Sequence, residues 1–177
     1  KLTKILALEL NKIFIEVIVA NGFEKDALKI LKKKKNLRII DSTNFIVDEV
    51  LRLNSIDHSM LIQSEDKKIF SKKNFKIVSK KKPNKLQYDN LIFAFNICRY
   101  VKSNAIVLAS NKSTVGIGSG QPSRLDSCQI AINKMKKFNK ANNEIVAASD
   151  AFFPFVDGIE KLIQSGVTAV IQPAGSI

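Results

Sequence analysis

The sequence predicts an α/β fold, with short strands and crossover helices building a parallel or mixed sheet. Three observations carry this expectation. Within the first 40 positions, helically spaced apolar residues give way to a strand-like run, and the succession then repeats. The same succession returns from Leu86 to Ile171. The composition, 45% apolar and 25% charged over 177 residues, suits a chain that buries a sizeable core.

The elements follow in order. From Leu2 to Ile13 the apolar residues Leu2, Ile5, Leu6, Leu8, Leu10 and Ile13 keep helical spacing. Phe14 to Ala20 (FIEVIVA) is a β-branched run closed by Asn21-Gly22, a strand and its turn. Glu24 to Lys33 predicts a second helix with Ala27, Leu28, Ile30 and Leu31 inward, and Leu37 to Ile40 a short strand. From Asp41 to Pro83 strand-like pieces, Ser59–Ser64 and Phe75–Val78, alternate with lysine-rich turns. A domain boundary is expected near Lys80–Asn84, dividing the chain into 1–82 and 83–177. Beyond it the pattern predicts a helix over Leu86–Val101, strands at Ala105–Ala109 and Thr114–Ile117, and a helix over Ser123–Phe138. A strand at Ile145–Ala148, a helix from Pro154 to about Ser165 and a strand at Val167–Ile171 complete the series.

Several function classes are disfavoured. No apolar run reaches the ~20 residues of a membrane span, and no secretory leader is visible, so a cytoplasmic protein is expected. The start at Lys1 without an initiator Met, and the stop at Ile177 just after a strand-like run, suggest a piece of a longer protein. Cys98 and Cys128 sit among apolar residues, as reduced core thiols do. With one histidine, His58, and no paired cysteines, a transition-metal site is not expected. His58 lies in a polar stretch (SIDHS) with no neighbour to tune it and is read as a surface residue.

The net charge of +13 raises the question of nucleic acid. Residues 1–100 carry 21 basic and 11 acidic side chains, the remainder 8 and 5. Phosphate binders combine such charge with arginine forks and stacking aromatics. Here 25 Lys stand against 4 Arg, with no Trp and only 2 Tyr. The runs Lys32–Lys35 and Lys80–Lys82 fall where helices end or loops turn, so a solvated surface is expected and no nucleic-acid partner.

Three segments are over-specified for packing. In Val115–Arg124 (VGIGSGQPSR) glycines at 116, 118 and 120 allow positive φ and close backbone approach between a strand and a helix. Arg124 adds a permanently charged fork near a helix start able to hold an anion. The spacing is neither a dinucleotide fingerprint nor a Walker loop. In Ser149–Asp157 (SDAFFPFVD) three phenylalanines and a proline stand between two aspartates just after a strand. Those rings suit a planar heterocycle whose amino groups Asp150 or Asp157 would accept; alternatively the aromatics are core staples and Asp150 caps the following helix. The third segment, Gln172–Ser176 (QPAGS), is a small-residue turn at a strand end. Asn104, between a helix and a strand, can donate and accept at once, or serve as a plain turn residue.

Together VKSNAIV, TVGIGSGQPSR, ASDAFFPF with its following DGI, and GVTAVIQPAGSI, in this order and spacing, resemble the transformylase domain of the bifunctional purine-biosynthesis enzymes. That family joins a phosphoribosylaminoimidazole-carboxamide formyltransferase to an IMP cyclohydrolase. The N-terminal stretch from Leu2 to Asp41 is similar to the same domain further upstream. The resemblance implies a cytidine-deaminase-like, three-layer α/β fold, duplicated within the full domain and truncated here at both ends. It implies a homodimer with active sites at the subunit interface, and formyl transfer from 10-formyltetrahydrofolate to the amine of aminoimidazole carboxamide ribonucleotide.

By motif position the resemblance implies that Asn104 and Arg124 contact the nucleotide and that Phe152 stacks on its base. It implies that Pro154, Phe155 and Asp157 line the folate pocket with the Ala174-Gly175-Ser176 turn nearby. It further implies a structural potassium ion with Ser103 and Asp150 as ligands. The family's catalytic Lys-His pair lies upstream of Lys1, so no catalytic residue is expected in this chain. Val156 stands where relatives commonly carry Arg. The leading expectation is thus a transferase fragment that binds both substrates and is inactive alone. A non-catalytic binding or dimerisation module of the same fold is the alternative, and a basic nucleic-acid-binding protein the third reading.

Overall fold

The computed structural model describes residues 1–45, 51–66, 68–138 and 144–175, in two compact units, Lys1–Glu65 and Asp66–Ile177. In the first, helix α1 (Lys4–Asn11) starts where the Thr3 hydroxyl accepts from Leu6 N–H, and the Glu24 carboxylate accepts from Lys4 N–H at 2.8 Å. The helix is shorter than its apolar spacing predicts, because Leu2 is held in a parallel bridge with Phe23 instead. Strands β1 (Val17–Ala20) and β2 (Arg38–Asp41) pair in parallel, Val17 opposite Arg38, with helix α2 (Lys25–Leu31) as their crossover. Leu2, Ala7, Ile18, Ala27 and Leu31 form the core of this layer.

The same unit holds an antiparallel hairpin, β3 (Leu51–Ile56) with β4 (Ser59–Ser64), closed through Asp57 at φ 49° and His58. The β4 range agrees with the predicted strand, whereas no sequence signal singles out β3. His58 is 97% exposed at the turn, as expected of a surface histidine.

The second unit is a four-stranded sheet in the order β6-β5-β7-β8. Its strands are β5 (Ile106–Ser110), β6 (Ser113–Gly118), β7 (Ile145–Ser149) and β8 (Val167–Ile171). β5 runs antiparallel to both β6 and β7, while β7 and β8 are parallel. Helix α3 (Lys85–Cys98) covers one face; α4 (Arg124–Phe138) and α5 (Asp157–Gln164) cover the other. Alternation along the strands sorts the core accordingly. Ala105, Val107, Ala109, Val146 and Ala148 meet Leu91, Ala94 and Cys98 of α3. Ile106, Leu108, Ile145 and Ala147 meet Cys128, Ala131, Ile132, Met135 and Leu162. Every residue of β5 and β7 is buried, as continuous apolar runs covered on both faces require. This unit is therefore a three-layer α/β arrangement.

Two sequence expectations change here. The two compact units meet after Glu65, beside the domain boundary expected near Lys80–Asn84. Phe70 and Phe75 pack edge-on against Phe95 of α3 at 5.0 and 5.3 Å, and Phe70 exchanges two hydrogen bonds with the Asn96 side chain. Residues 68–75 thus travel with α3. Phe75–Val78 forms no strand, because Phe75 is committed to this aromatic cluster and follows a 3-10 turn at Lys72–Asn74. Of the glycines in the 115–124 segment only Gly120 has a positive φ, +68°. Gly116 and Gly118 lie within β6, where a Cβ would come 2.2 Å from the Ala131 carbonyl oxygen and 1.9 Å from that of Ser127. They permit close packing of α4 on the sheet.

Candidate functional site

Because β5 runs against its neighbours, the residues before it share an end of the sheet with those after β6, β7 and β8. In register Ile106 faces Gly118 on one side and Ser149 on the other, and Ala148 faces Ile171. The segment 102–104, the loop 119–123, the loop 150–156 and the turn from Gln172 therefore converge. Loops beyond the carboxyl ends of strands are where open α/β sheets bind ligands.

Arg124, the first residue of α4, is the hub. Its Nη1 donates to Ser149 Oγ at 2.7 Å and to Asp150 Oδ1 at 2.5 Å, and its Nη2 donates to Asn104 Oδ1 at 2.9 Å. Three partners, from the segment before β5 and from the end of β7 with its following loop, thus fix one planar group. Asn104 is held in turn: its Nδ2 donates to the carbonyls of Gln121 and Pro122 at 2.9 and 3.1 Å. Its own carbonyl accepts from the Ser127 hydroxyl at 2.7 Å, and the peptide joining it to Ser103 is cis. Asp150 accepts from Ala105 N–H at 3.1 Å through Oδ1 and from the Ser103 hydroxyl through Oδ2. Burial alone raises the Asp150 carboxyl, but the hydrogen bonds from Ser103, Arg124 and Ala105 and the Arg124 charge outweigh it. They hold it below its ordinary 3.8.

The aromatic loop forms the facing wall. Phe153 turns inward to the α4–α5 core, and a Cβ on Gly158 would come within 2.9 Å of its ring. Its backbone N–H donates to Gln172 Oε1 at 3.0 Å, which ties the third over-specified segment to this loop. Phe152 stands against Gly175, where a Cβ would sit 3.4 Å from the ring. Phe155 and Val156 point outward, 73% and 68% exposed. Helix α5 begins at Asp157 with Val156 as its cap residue, so Pro154–Val156 stay in the loop and Asp150 caps nothing. Asp157 instead accepts from Gly158 N–H at 2.7 Å.

Between these walls lies a pocket of about 400 Å³, whose lining includes Asn104, Arg124, Phe152, Pro154, Phe155 and Asp157. Six residues singled out from the sequence as substrate contacts thus share one cavity. Gly175 lies against the Phe152 ring and outside the lining, whereas Ser103 and Asp150 stand beside Arg124. Ser176 lies outside the described residues. Sequence reasoning missed Ser149 and Ser127, the buried hydroxyls that orient Arg124 and Asn104; a serine ending an apolar strand (IVAAS) carries no distinguishing signal.

Ser103 and Asp150, the residues the resemblance implies for potassium, are hydrogen-bonded to each other here. Asp150 Oδ1 already serves Arg124 and Ala105, Oδ2 serves Ser103, and a guanidinium lies against the carboxylate. Among the described residues no group of three or more His, Cys, Asp or Glu is placed to hold a metal ion. No histidine, lysine or cysteine is among the residues that line the pocket. Burial pushes the Cys98 thiol up to about 12 and the Cys128 thiol up to about 11, so neither is a nucleophile at neutral pH. No described helix is long and apolar enough to cross a membrane.

Comparison with known proteins bears on the chain's family. The family model described as AICARFT/IMPCHase bienzyme matches residues 1–134. The bifunctional purine biosynthesis protein PurH of Chlorobium phaeobacteroides (strain BS1) is 42% identical over 168 residues, 95% of this chain and 32% of that protein. Its namesake in Aquifex aeolicus (strain VF5) is 42% identical over 97% of this chain and 33% of its own length. That of Caldicellulosiruptor saccharolyticus is 41% identical over 100% of this chain and 34% of its own length. The chain spans about a third of the length of these relatives, and with the family model covering 134 of its 177 residues it belongs to the AICARFT/IMPCHase bienzyme family.

Proposed function

We propose that this chain supplies the nucleotide- and folate-binding face of a formyltransferase that acts in purine biosynthesis. The reaction is transfer of the formyl group of 10-formyltetrahydrofolate to the amine of aminoimidazole carboxamide ribonucleotide. The observation that carries the reading is the pocket in which Asn104, Arg124 and the loop from Phe152 to Asp157 meet. Asn104 and Arg124 read the nucleotide's polar edge, Phe152 packs on its base, and Pro154, Phe155 and Asp157 face the pterin, with Gly175 leaving room behind Phe152. Attack by a weakly nucleophilic aromatic amine needs a general base and a donor to the developing oxyanion. The residues lining the pocket offer a guanidinium, an amide and the Asp157 carboxylate but no histidine or lysine, and in this reading the remaining proton-moving groups are supplied by the rest of the full-length enzyme. A cytidine-deaminase-like duplication and a homodimer with the site at its interface complete the reading.

Calorimetric titration of the full-length protein with the ribonucleotide and with a folate analogue tests it. Saturable binding of both, with nucleotide affinity about tenfold or more weaker in Arg124→Ala, is the expected result. No binding of either would sink the proposal, and binding without turnover would leave the non-catalytic module as the correct description.

A further inference from the structure

We infer that Ser149 is a positioning residue for the proposed reaction: it aims the Arg124 guanidinium and ties it to the aromatic loop, without touching substrate itself. This rests on the proposed nucleotide role of Arg124. Ser149 is 0% exposed at the carboxyl end of β7 and does not line the pocket. Its hydroxyl has one proton, which it donates to the Ala151 carbonyl at 2.7 Å. The lone pairs therefore remain for Arg124 Nη1, at 2.7 Å. One buried atom thus links the arginine wall to the backbone that delivers Phe152.

The consequence is geometric. With Asp150 taking its other hydrogen, Nη1 is fully occupied, and Asn104 takes one hydrogen of Nη2. A guanidinium carries five N–H groups. The Nε–H and the second Nη2–H are the ones left for a ligand in the pocket that Arg124 lines. Asp150 supplies the charge that retains the guanidinium, but a carboxylate accepts from several directions. Ser149, fixed by its own donation to Ala151, restricts the rotation about that ion pair. Without it the arginine keeps its partner and loses its aim, and the Ala151 carbonyl loses its donor.

The test is a double-mutant cycle in the full-length protein, read as steady-state kinetics and as binding of aminoimidazole carboxamide ribonucleotide. Ser149→Ala is expected to raise KM for the nucleotide about tenfold with kcat within about twofold, and to leave KM for the folate nearly unchanged. In the Arg124→Ala background the same substitution is expected to have no further effect on nucleotide affinity. Ser149→Cys, which keeps size and a weak acceptor, is expected to recover part of the loss, and it replaces the alanine variant in the cycle if that variant does not fold. Unchanged nucleotide KM in Ser149→Ala, or an undiminished penalty in the Arg124→Ala background, overturns the inference. If Arg124→Ala itself leaves nucleotide affinity intact, the assignment of the pocket fails instead, and the two failures are distinguishable.

Discussion

Arg124 and Asp150 form an enclosed ion pair, Nη1 to Oδ1 at 2.5 Å, with 11% and 15% of their side-chain surfaces exposed. It joins the start of α4 to the loop after β7, two pieces of chain that both line the pocket.

Removing one member of such a pair leaves the other charge unpaired in a shielded place. Asp150→Ala is expected to lower the unfolding free energy of the full-length protein by roughly 3 kcal/mol, a cost that belongs to the stranded guanidinium as much as to the lost contact. Chemical denaturation measures it, and a change within about 0.5 kcal/mol of zero, an ordinary surface effect, would show that the pair is solvated in solution.

The pH dependence follows from the direction of the Asp150 shift. Its folded-state carboxyl lies below the ordinary 3.8, so the folded state favours the ionised form. The resulting stability is fully present above the unfolded value and is lost as pH falls through the lower folded value. Wild type and Asp150→Asn are thus expected to differ by a constant amount above about pH 5 and to converge below 3.8. A stability difference that grows on acidification would contradict the structure.

Gly118 gives a packing test. A Cβ there would meet the Ser127 backbone oxygen at 1.9 Å, and backbone cannot move aside as a long side chain can. Gly118→Ala is expected to destabilise by about 3 kcal/mol through displacement of α4 from the sheet. Gly166 has a φ of +98° but nothing within 4 Å of an added methyl group, so Gly166→Ala is expected to cost only about 1 kcal/mol of backbone strain. Thermal unfolding of the two variants should rank them in that order.

The thiols answer to alkali. Burial raises Cys98 to about 12 and Cys128 to about 11 from an ordinary 9.0, so the folded state favours the protonated form. Their contribution to stability is complete below 9.0 and falls as pH climbs through the folded values. At about pH 8 a disulfide-exchange reagent is expected to leave both thiols unmodified in the native protein and to label them on unfolding. Rapid native labelling of either would mean that its helix does not cover it.

Much of the architecture was legible because local signals agreed with each other. β4 and β8 coincide residue for residue with the predicted strands, since each is bounded by turn-forming residues, Asp57-His58 before one and Ser165-Gly166 before the other. Helix ends were less legible: α3 stops at Cys98, because Arg99 already closes the last turn, although the apolar pattern runs on to Val101. Phe75–Val78 misled because an aromatic and β-branched run satisfies a strand and a side-chain cluster equally well. The candidate site was legible in its lining, where Asn104, Arg124 and the phenylalanine loop exceed what packing needs. It was illegible in its support, since the roles of Ser149 and Ser127 depend on pairings between distant strands. The glycines of β6 illustrate the same division, their spacing being visible and their purpose, contact with α4, being tertiary.

The antiparallel course of β5 has one more effect. The Asn111–Lys112 turn, with φ values of 51° and 54°, and the Ser165–Gly166 turn into β8 both occupy the end of the sheet away from the pocket. Chain length can therefore vary at those turns, by natural insertion or by an added reporter peptide, while the spacing between Arg124 and the phenylalanine loop stays unaltered. The sheet works as a spacer with the pocket at one end and plain turns at the other.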